Sequence, residues 1–372
     1  MMPALFLLIV LIYLFASGYI AARVCRVFKR RPRSWRIAVW VIVLLLDFSF
    51  FLQRLVGADC VWLNRIVYVV STTWMPVVLY LFMILVVLDV ARYILKITRG
   101  EIPYHTPASV KTGVVLTALL LVWGYITAIS PEETRYSIYT DKLPAGEEFT
   151  IALVSDLHTG YAVREGDIDK MVGVINSANA DVTLICGDLI DGDISPVIKE
   201  ETLAPLTKLR SPMGVFAVMG NHEYMEDGDR AAEVIRSIGN VVLLRDSMAD
   251  VGPFRIIGRD DLTLARLGRT RLDISAFEPS DSLFTIVMDH QPGAVMEAVD
   301  IDADLSLSGH THAGQIWPMN LITERIYTID YGFSCYGSTG VVVTSGYGTW
   351  GPRIRLGTQA EVVLIDIFGT RK

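Results

Sequence analysis

The sequence reads Asp156-Leu157-His158 near the middle of the chain, and four further blocks of metal-binding side chains follow it in order. These blocks are Gly187-Asp188-Leu189-Ile190-Asp191, Gly220-Asn221-His222-Glu223, the isolated His290, and Gly309-His310-Thr311-His312. The chain has 6 histidines, and five of them fall in these blocks. Core packing does not explain such a concentration, so the pattern indicates a metal site.

Each block directly follows a short apolar run, and each run predicts a β-strand. The runs cover residues 149–154, 182–186, 215–219, 283–288 and 305–307. Side chains at the carboxyl ends of successive strands can converge on one crevice although they are far apart in the sequence. Helical stretches at residues 168–176 and 229–238 alternate with the strands, so we expect an α/β layered domain with one site.

The side chains in these blocks offer imidazole nitrogens, carboxylate oxygens and one carboxamide oxygen, and none offers a thiolate. This mixture suits Mn, Fe or Zn and disfavours a structural zinc site built from cysteines. Seven candidate ligands are more than one ion normally takes from a protein, so we expect two divalent metal ions that share a carboxylate. A pair of such ions clamps the oxygens of a phosphate group.

Taken together, the motifs Asp-x-His, Gly-Asp-x-x-Asp, Gly-Asn-His-Glu, His and Gly-His-x-His resemble those of the calcineurin-like metallophosphoesterase superfamily, with every motif present. The carboxyl-terminal part resembles the membrane-associated bacterial branch of that superfamily, through residues 345–349, 353–357 and 361–364. The resemblance covers residues 135–372. It implies an α/β metallophosphoesterase domain in which two mixed β-sheets form a sandwich flanked by helices.

The resemblance also implies a role for each residue of the blocks. It assigns six ligands to two ions, in two sets of three: Asp156, His158 and His312 for one ion, and Asn221, His290 and His310 for the other. Asp188 would bridge both ions. His222 would face the substrate and protonate the leaving oxygen, and Asp191 would orient His222. Asp289 departs from the small polar residue that is more usual there, which affects only local electrostatics.

The expected reaction is hydrolysis of a phosphomonoester, a phosphodiester or a pyrophosphate. Two cations about 3.5 to 4 Å apart lower the pKa of a bridging water, so that hydroxide is available near neutral pH for attack on phosphorus. A histidine that titrates near neutrality suits protonation of the leaving oxygen. Two alternatives stay open: a membrane sensor or scaffold that retains the domain for binding, and an enzyme whose helices form a transport or lipid-presenting bundle.

The first 130 residues have a different composition, with four almost wholly apolar stretches at residues 3–22, 37–56, 75–95 and 113–129. Each is close to the roughly 20 residues that a helix needs to cross a bilayer. We therefore expect a membrane domain of about four transmembrane helices over residues 1–130, then a linker and first strand region at 131–148. The amino end carries no Lys or Arg, unlike a signal peptide, so the first helix is expected to be retained.

Basic residues predict how this membrane domain is oriented. Seven of them surround the first connection: Arg23, Arg26, Lys29, Arg30, Arg31, Arg33 and Arg36. Four more border the third connection: Arg92, Lys96, Arg99 and Lys111. Because Lys and Arg collect on the cytoplasmic side of a membrane, four crossings place both the amino terminus and the catalytic domain outside. The expected location is the cell membrane, with an extracytoplasmic catalytic domain.

Charge separates the two parts of the chain. Residues 1–130 carry 13 Lys and Arg against 4 Asp and Glu, whereas the whole chain has a formal net charge of −7, so the catalytic part is strongly acidic. An acidic domain gives no sign of nucleic-acid binding and disfavours a large polyanionic substrate. The expected partners are the lipid bilayer and a phosphorylated small molecule or lipid-linked substrate.

Several polar residues outside the blocks leave alternatives open. Asp47 and Asp89 lie in or near apolar stretches, either as functional groups or, more commonly, at helix ends or facing other helices. Arg259, Asp260 and Asp261 follow a predicted strand and either contact substrate or form a solvated loop. The 4 cysteines are spread over two environments and predict no disulfide framework.

Overall fold

A computed structural model of the chain describes residues 2–52, 60–100 and 106–371. The chain divides into two compact units, Met1–Tyr125 and Ile126–Lys372. In the described residues, the first unit is helical and the second combines helices with two β-sheets. This division agrees with the difference in composition between the two parts of the sequence.

The first unit consists of long apolar helices. Its helices are α1 (Met2–Val27), α2 (Arg33–Asp47), α3 (Ser49–Leu52), α4 (Val61–Arg99) and α5 (Thr106–Ile129), the last of which continues into the second unit. Within the described residues, three spans are long and apolar enough to cross a membrane: Leu7–Val27, Val61–Arg99 and Pro107–Ile129.

The second predicted crossing, residues 37–56, is the one that differs in the structure. It falls on α2 and α3, and its last residues belong to 53–59, which lie outside the described residues. Helix α2 has 15 residues and is therefore about 22 Å long, shorter than a hydrocarbon core of about 30 Å. The count of four crossings stays a prediction.

The two acidic residues of the membrane unit face neighbouring helices. Asp47 on α2 accepts hydrogen bonds from Ser17 Oγ on α1 at 2.8 Å and from Trp74 Nε1 on α4 at 2.7 Å. Asp89 on α4 pairs with the buried Arg23 on α1, at 2.7 Å from its Nη2. Polar groups inside a bilayer need such partners because lipid tails offer none. Both residues therefore join helices, which is the commoner of the two expectations.

The second unit is a sandwich of two mixed sheets. Its strands are β1 (Glu132–Pro144), β2 (Glu148–Val154), β3 (Val182–Cys186), β4 (Val215–Val218), β5 (Val241–Leu243), β6 (Ser247–Val251), β7 (Phe254–Gly258), β8 (Phe284–Met288), β9 (Leu305–Ser308), β10 (Gly332–Tyr336), β11 (Thr339–Val343) and β12 (Glu361–Arg371). The first sheet has the order β1-β12-β2-β3-β4-β5, and the second has the order β10-β11-β9-β8-β7-β6.

Helices cover the outer faces of this sandwich. They are α6 (Glu165–Ser177), α7 (Ile194–Lys199), α8 (Gly228–Ser237) and α9 (Val295–Asp300), while α10 (Asn320–Ile326) buries none of its residues. Strand β2 shows the layering, because successive side chains point to opposite faces. Ile151 and Leu153 pack in the core between the sheets, while Ala152 and Val154 pack in the core that includes α6 and α8. The predicted fold class is confirmed.

The segment predicted as linker and first strand region is mostly strand. Helix α5 ends at Ile129, before Pro131, and β1 begins at Glu132, three residues earlier than the predicted start of the domain at Arg135. Strand β1 runs parallel to β12 from the pair Glu132 and Glu361 onward. Its side chains are largely exposed or half-buried, so its sequence carries little of the apolar alternation that predicts a strand.

The five predicted strands that lead to the ligand blocks all exist, as β2, β3, β4, β8 and β9. Strands β2, β3 and β4 are parallel neighbours in the first sheet, and β8 and β9 are parallel neighbours in the second. The carboxyl ends of parallel neighbours lie at the same edge of a sheet. The topology therefore gathers the blocks at the ends of these strands.

Candidate metal centre

The backbone at the strand ends is unusual. Five of the predicted ligands have a positive φ: Asp156 (56°), His158 (47°), Asp188 (52°), His310 (72°) and His312 (51°). A left-handed conformation costs a residue other than glycine about 1 to 2 kcal/mol. Residues with such strain persist only where their surroundings hold them, and they cluster at functional sites.

Backbone hydrogen bonds between loops hold these residues. The Asp156 N–H donates to the carbonyl of Gly187 at 3.0 Å, and the His158 N–H donates to the carbonyl of Asp188 at 2.9 Å. The His310 N–H donates to the Asp156 carboxylate, at 2.9 Å from Oδ2. The loops after β2, β3 and β9 therefore support one another.

Glu223 fastens the loops after β3 and β4. Its buried carboxylate accepts three backbone N–H bonds: from Asp188 at 3.1 Å, from Ile190 at 2.9 Å and from Gly220 at 2.7 Å. Burial raises the pKa of Glu223 to about 7, and the charge of Asp188 acts in the same direction. The three N–H donors act against this shift. Sequence reasoning quoted Glu223 within its block but gave it no role.

Asp156, His158 and His312 form the first group of candidate ligands. The Nε2 atoms of the two histidines face each other at 3.0 Å. From the Asp156 Oδ1 atom, the His312 Nε2 is 3.4 Å away and the His158 Nε2 is 3.8 Å away. All three side chains are buried. They are the three residues predicted to hold one ion.

Asp188, His290 and His310 form the second group, and Asn221 adjoins it. The His290 Nε2 lies 3.1 Å from Asn221 Oδ1. The His290 Nδ1 lies 2.8 Å from the carbonyl oxygen of Cys186. Because a carbonyl only accepts, Nδ1 carries the proton of a neutral ring, and Nε2 is left with the lone pair that a metal ion needs.

Asp188 lies between the two groups. Its Oδ2 atom is 3.2 Å from His290 Nε2 in the second group and 3.7 Å from His158 Nε2 in the first. Its Oδ1 atom accepts a hydrogen bond from the His222 N–H at 2.8 Å. A Cβ on Gly220 would overlap this carboxylate, so the absence of a side chain at Gly220 leaves the space that Asp188 occupies.

His222 and Asp191 meet beside the first group. The Asp191 Oδ1 atom lies 3.1 Å from His222 Nδ1 and 3.3 Å from His158 Nδ1, so one carboxylate faces both rings. Burial acts in the opposite direction, but the two histidines hold the pKa of Asp191 well below its usual range. The exposed Trp350 packs edge-on against His222, with ring centroids 6.2 Å apart.

The electrostatics of the buried groups fit a metal ion. Burial lowers the pKa of His310 to about 4, so its ring is neutral and able to bind. Burial also lowers the pKa of His290, but Asp188 and Asp156 outweigh this effect and raise it well above its ordinary value. Buried carboxylates thus draw positive charge into the site. Together with the nitrogen and oxygen donors, this arrangement suits Mn, Fe or Zn.

Arg355 is a supporting residue to which sequence reasoning gave no role. It is fully buried, and its Nη2 donates to the carbonyls of Ser345, Gly346 and Gly348 at 2.7, 2.9 and 2.7 Å. The Gly348 N–H in turn donates to the carbonyl of Asp156 at 2.8 Å. The same Nη2 lies 3.3 Å from His312 Nδ1. The one signal in the sequence was that Arg355 lies within residues 353–357, which carry part of the family resemblance.

One expectation for the loops near the site needs correction. Arg259 does not belong to a solvated loop, because it is buried and pairs with Asp246 at 3.0 Å. Asp260 and Asp261 are buried too. Asp289 is buried against Arg271, 2.7 Å from its Nη1, and burial raises the pKa of Asp289 to about 6. All 4 cysteines are free.

Comparisons with known proteins give the family. The model of the calcineurin-like phosphoesterase family matches residues 149–314. An uncharacterized metallophosphoesterase of Aquifex aeolicus is 31% identical over 260 residues, which are 68% of this chain and 98% of that protein. The chain belongs to the calcineurin-like metallophosphoesterase family. It is therefore a metal-dependent phosphoesterase, and the family usually binds a dinuclear metal centre.

Two further relatives are named as transmembrane proteins. A transmembrane protein with metallophosphoesterase domain from Danio rerio is 27% identical over 353 residues, covering 90% of this chain and 80% of that protein. A protein of the same name from Bos taurus is 33% identical over 268 residues, covering 67% of this chain and 60% of that protein.

Glu223→Gln is expected to destabilise the metallophosphoesterase and loosen its metal centre. The amide keeps the size of the side chain, but its NH₂ group turns a donor toward one of the three N–H groups that Glu223 accepts. Leaving a buried donor unpaired costs about 1 to 3 kcal/mol. Thermal unfolding and metal analysis of the full chain measure both effects. Glu233→Gln, on the exposed side of α8, is the matched control and should change neither. An unchanged melting temperature for Glu223→Gln would contradict the role of Glu223 in holding the two loops together.

Proposed function

We propose that the chain is a membrane-anchored, dinuclear-metal phosphoesterase that hydrolyses a phosphomonoester, a phosphodiester or a pyrophosphate. The observation that carries this proposal is the gathering of two buried ligand groups around Asp188, with His222 beside them. In one group Asp156, His158 and His312 would hold an ion, and in the other Asn221, His290 and His310 would do so. Asp188 would bind both ions.

Two divalent ions in this place would activate water for attack and stabilise the charge on the phosphate oxygens. The chain itself supplies the surroundings. Five of the seven candidate ligands are buried, namely Asp156, His158, Asp188, His290 and His312, so bulk water has little access to them and the electrostatic interactions inside the site are strong. The loops that carry them are fixed by backbone hydrogen bonds, so little reorganisation accompanies the reaction.

His222 would donate the proton to the leaving oxygen. Its backbone N–H is tied to Asp188 Oδ1 at 2.8 Å, and its Nδ1 faces Asp191 at 3.1 Å. The Asp191 carboxylate on the Nδ1 side of the ring would orient His222, so that its Nε2 faces the leaving oxygen. Asp191 is thus a positioning residue for His222, and its second contact, with His158, couples the proton donor to the first ligand group.

The membrane part of the proposal rests on three helices long and apolar enough to span a bilayer and on the names of the relatives from Danio rerio and Bos taurus. Lys96 and Arg99 lie in the last turn of α4, and Lys111 follows early in α5. If this basic connection is cytoplasmic, α5 leads outward, whatever the number of crossings before α4. The catalytic domain, which follows α5, would then be extracytoplasmic.

Asp188→Asn is expected to weaken both metal sites, because the amide offers only one oxygen where the carboxylate offers two. Metal analysis of the purified full chain should give two ions per wild-type chain and fewer for the variant. Asp181→Asn, on the loop before β3, changes the charge equally outside the ligand groups and is the control. One ion per chain in both wild type and Asp188→Asn would rule out the shared site.

His222→Ala is expected to keep its metal and to lose turnover by roughly 10² to 10⁴, the usual contribution of general acid catalysis. The loss should shrink for esters with good leaving groups, such as nitrophenyl phosphate, which need little protonation. Comparing kcat for a nitrophenyl ester and an alkyl phosphate with added Mn²⁺ measures this difference. Loss of metal from His222→Ala would show that the role assigned to His222 is wrong. Absence of turnover in the wild type would favour the sensor or scaffold instead.

The orientation is tested by a reporter fused after the last residue of the chain. A reporter that is active only outside the cytoplasm should be active there, because β12 ends the catalytic domain. A cytoplasmic reporter at the same place should be inactive. Removing two basic charges from the connection between α4 and α5, with Lys96→Gln and Arg99→Gln together, should weaken the preference for the orientation that places the catalytic domain outside. Activity of only the cytoplasmic reporter would overturn the topology.

A further inference from the structure

One side of the catalytic domain carries an exposed apolar surface next to the metal centre. It is formed by six residues, here termed the apolar rim: Trp317, Met319, Leu321, Ile322, Ile326 and Trp350. Each is between 39% and 67% exposed. The chain has 7 tryptophans, and the two that lie in the catalytic domain both belong to this rim. Clustered exposed apolar side chains mark a surface that meets another apolar phase.

The rim lies near two histidines of the metal centre. Trp350 packs edge-on against His222, with ring centroids 6.2 Å apart. Helix α10, which carries Leu321, Ile322 and Ile326, is followed directly by Tyr327, whose ring packs edge-on against His310 at 6.1 Å. The rim therefore lies close to both His222 and His310.

The two halves of the rim are fixed to each other. The Gln315 side chain donates to the Trp350 carbonyl at 2.9 Å and accepts from the Trp350 N–H at 2.9 Å. The Trp317 N–H donates to the carbonyl of Leu356 at 2.7 Å. Since Gln315 lies three residues after His312, the segment that carries α10 and the segment that carries Trp350 are joined beside the metal centre.

The end of the membrane helix α5 packs against the same loop that carries Trp350. Ala128 and Ile129, in its last turn, line a cleft together with Tyr347, Thr349 and Arg353. The Gln359 side chain donates to the carbonyl of the adjoining Ser130 at 2.6 Å. The loop thus has the end of an apolar, membrane-length helix on one side and the metal centre on the other.

We propose that the apolar rim enters the membrane surface and that the substrate is a phosphate ester held in the bilayer by its own lipid chains. This inference rests on the proposed phosphoesterase function. The end of a transmembrane helix lies at the bilayer surface, where tryptophan is favoured because its ring combines an apolar body with a polar N–H. Lipid chains would contact the rim while the phosphate group reaches His222 and the ligands.

The rim is tested with the full chain reconstituted in vesicles with Mn²⁺. Three lipids represent the three kinds of phosphate bond: phosphatidic acid, phosphatidylglycerol and CDP-diacylglycerol. Nitrophenyl phosphate is the soluble comparison. The double variant Ile322→Gln and Ile326→Gln removes apolar contact from α10, and glutamine suits a helix at least as well as isoleucine. Met248→Gln, at an equally exposed position on β6 at the opposite end of the second sheet from β10, is the control.

At least one lipid is expected to be hydrolysed, and its kcat/KM should fall about 10-fold in the double variant, while nitrophenyl phosphate hydrolysis stays unchanged. Met248→Gln should affect neither. Equal loss for both kinds of substrate, an unchanged lipid rate, or hydrolysis of nitrophenyl phosphate without any lipid would overturn the inference. Failure of the wild type to hydrolyse any substrate would instead contradict the proposed function.

Fluorescence gives a second measure that does not depend on turnover. The fluorescence of Trp317 is obtained by subtracting the emission of Trp317→Phe from that of the wild type. This component should be quenched by lipids brominated near the headgroup end of their chains. If this component is not quenched, the rim does not enter the bilayer. Its burial against a second copy of the chain or another protein would give that result.

Discussion

Backbone hydrogen bonds between loops hold the candidate ligands together, and the Glu223 carboxylate fastens the two loops nearest the centre. Asp156 and Asp188 are buried close to one another, and each has a strained, left-handed backbone conformation. Neither feature would persist in separate loops. The three N–H bonds to Glu223 and the bonds from Arg355 to the Ser345–Gly348 segment offset that strain. The geometry of the ligands therefore depends on residues that bind no metal themselves.

Much of the catalytic domain follows from local sequence patterns. The strands before Asp156, Asp188 and Asn221 are short apolar runs that end at polar residues, and a parallel sheet places such ends together. The side chains that support them were not predictable in the same way. Arg355 donates to backbone carbonyls, and Glu223 accepts from backbone N–H groups of two loops. Every residue carries such groups, so neither pattern nor spacing reveals which of them a buried side chain will contact.

The expectation that failed has a physical cause. Arg259 looked like part of a polar loop, because a sequence does not show that Asp246 will lie 3.0 Å away to neutralise a buried charge. The bounds of β1 were hard to predict for a related reason, because β1 is an edge strand whose exposed side chains carry a weak apolar pattern. What holds β1 in the sheet is its pairing with β12, a segment far along the chain.

The short connection between α5 and β1 limits where the enzyme can act. Helix α5 ends at Ile129 and β1 begins at Glu132, so the chain between them spans at most about 10 Å. Strand β1 is paired with β12, and β12 is paired with β2, which leads to Asp156. In the described residues, no long linker therefore separates the end of α5 from the sheet that leads to the metal centre. Under the proposed membrane anchoring, a soluble substrate would have to diffuse to the membrane, whereas a lipid substrate would already be confined to it.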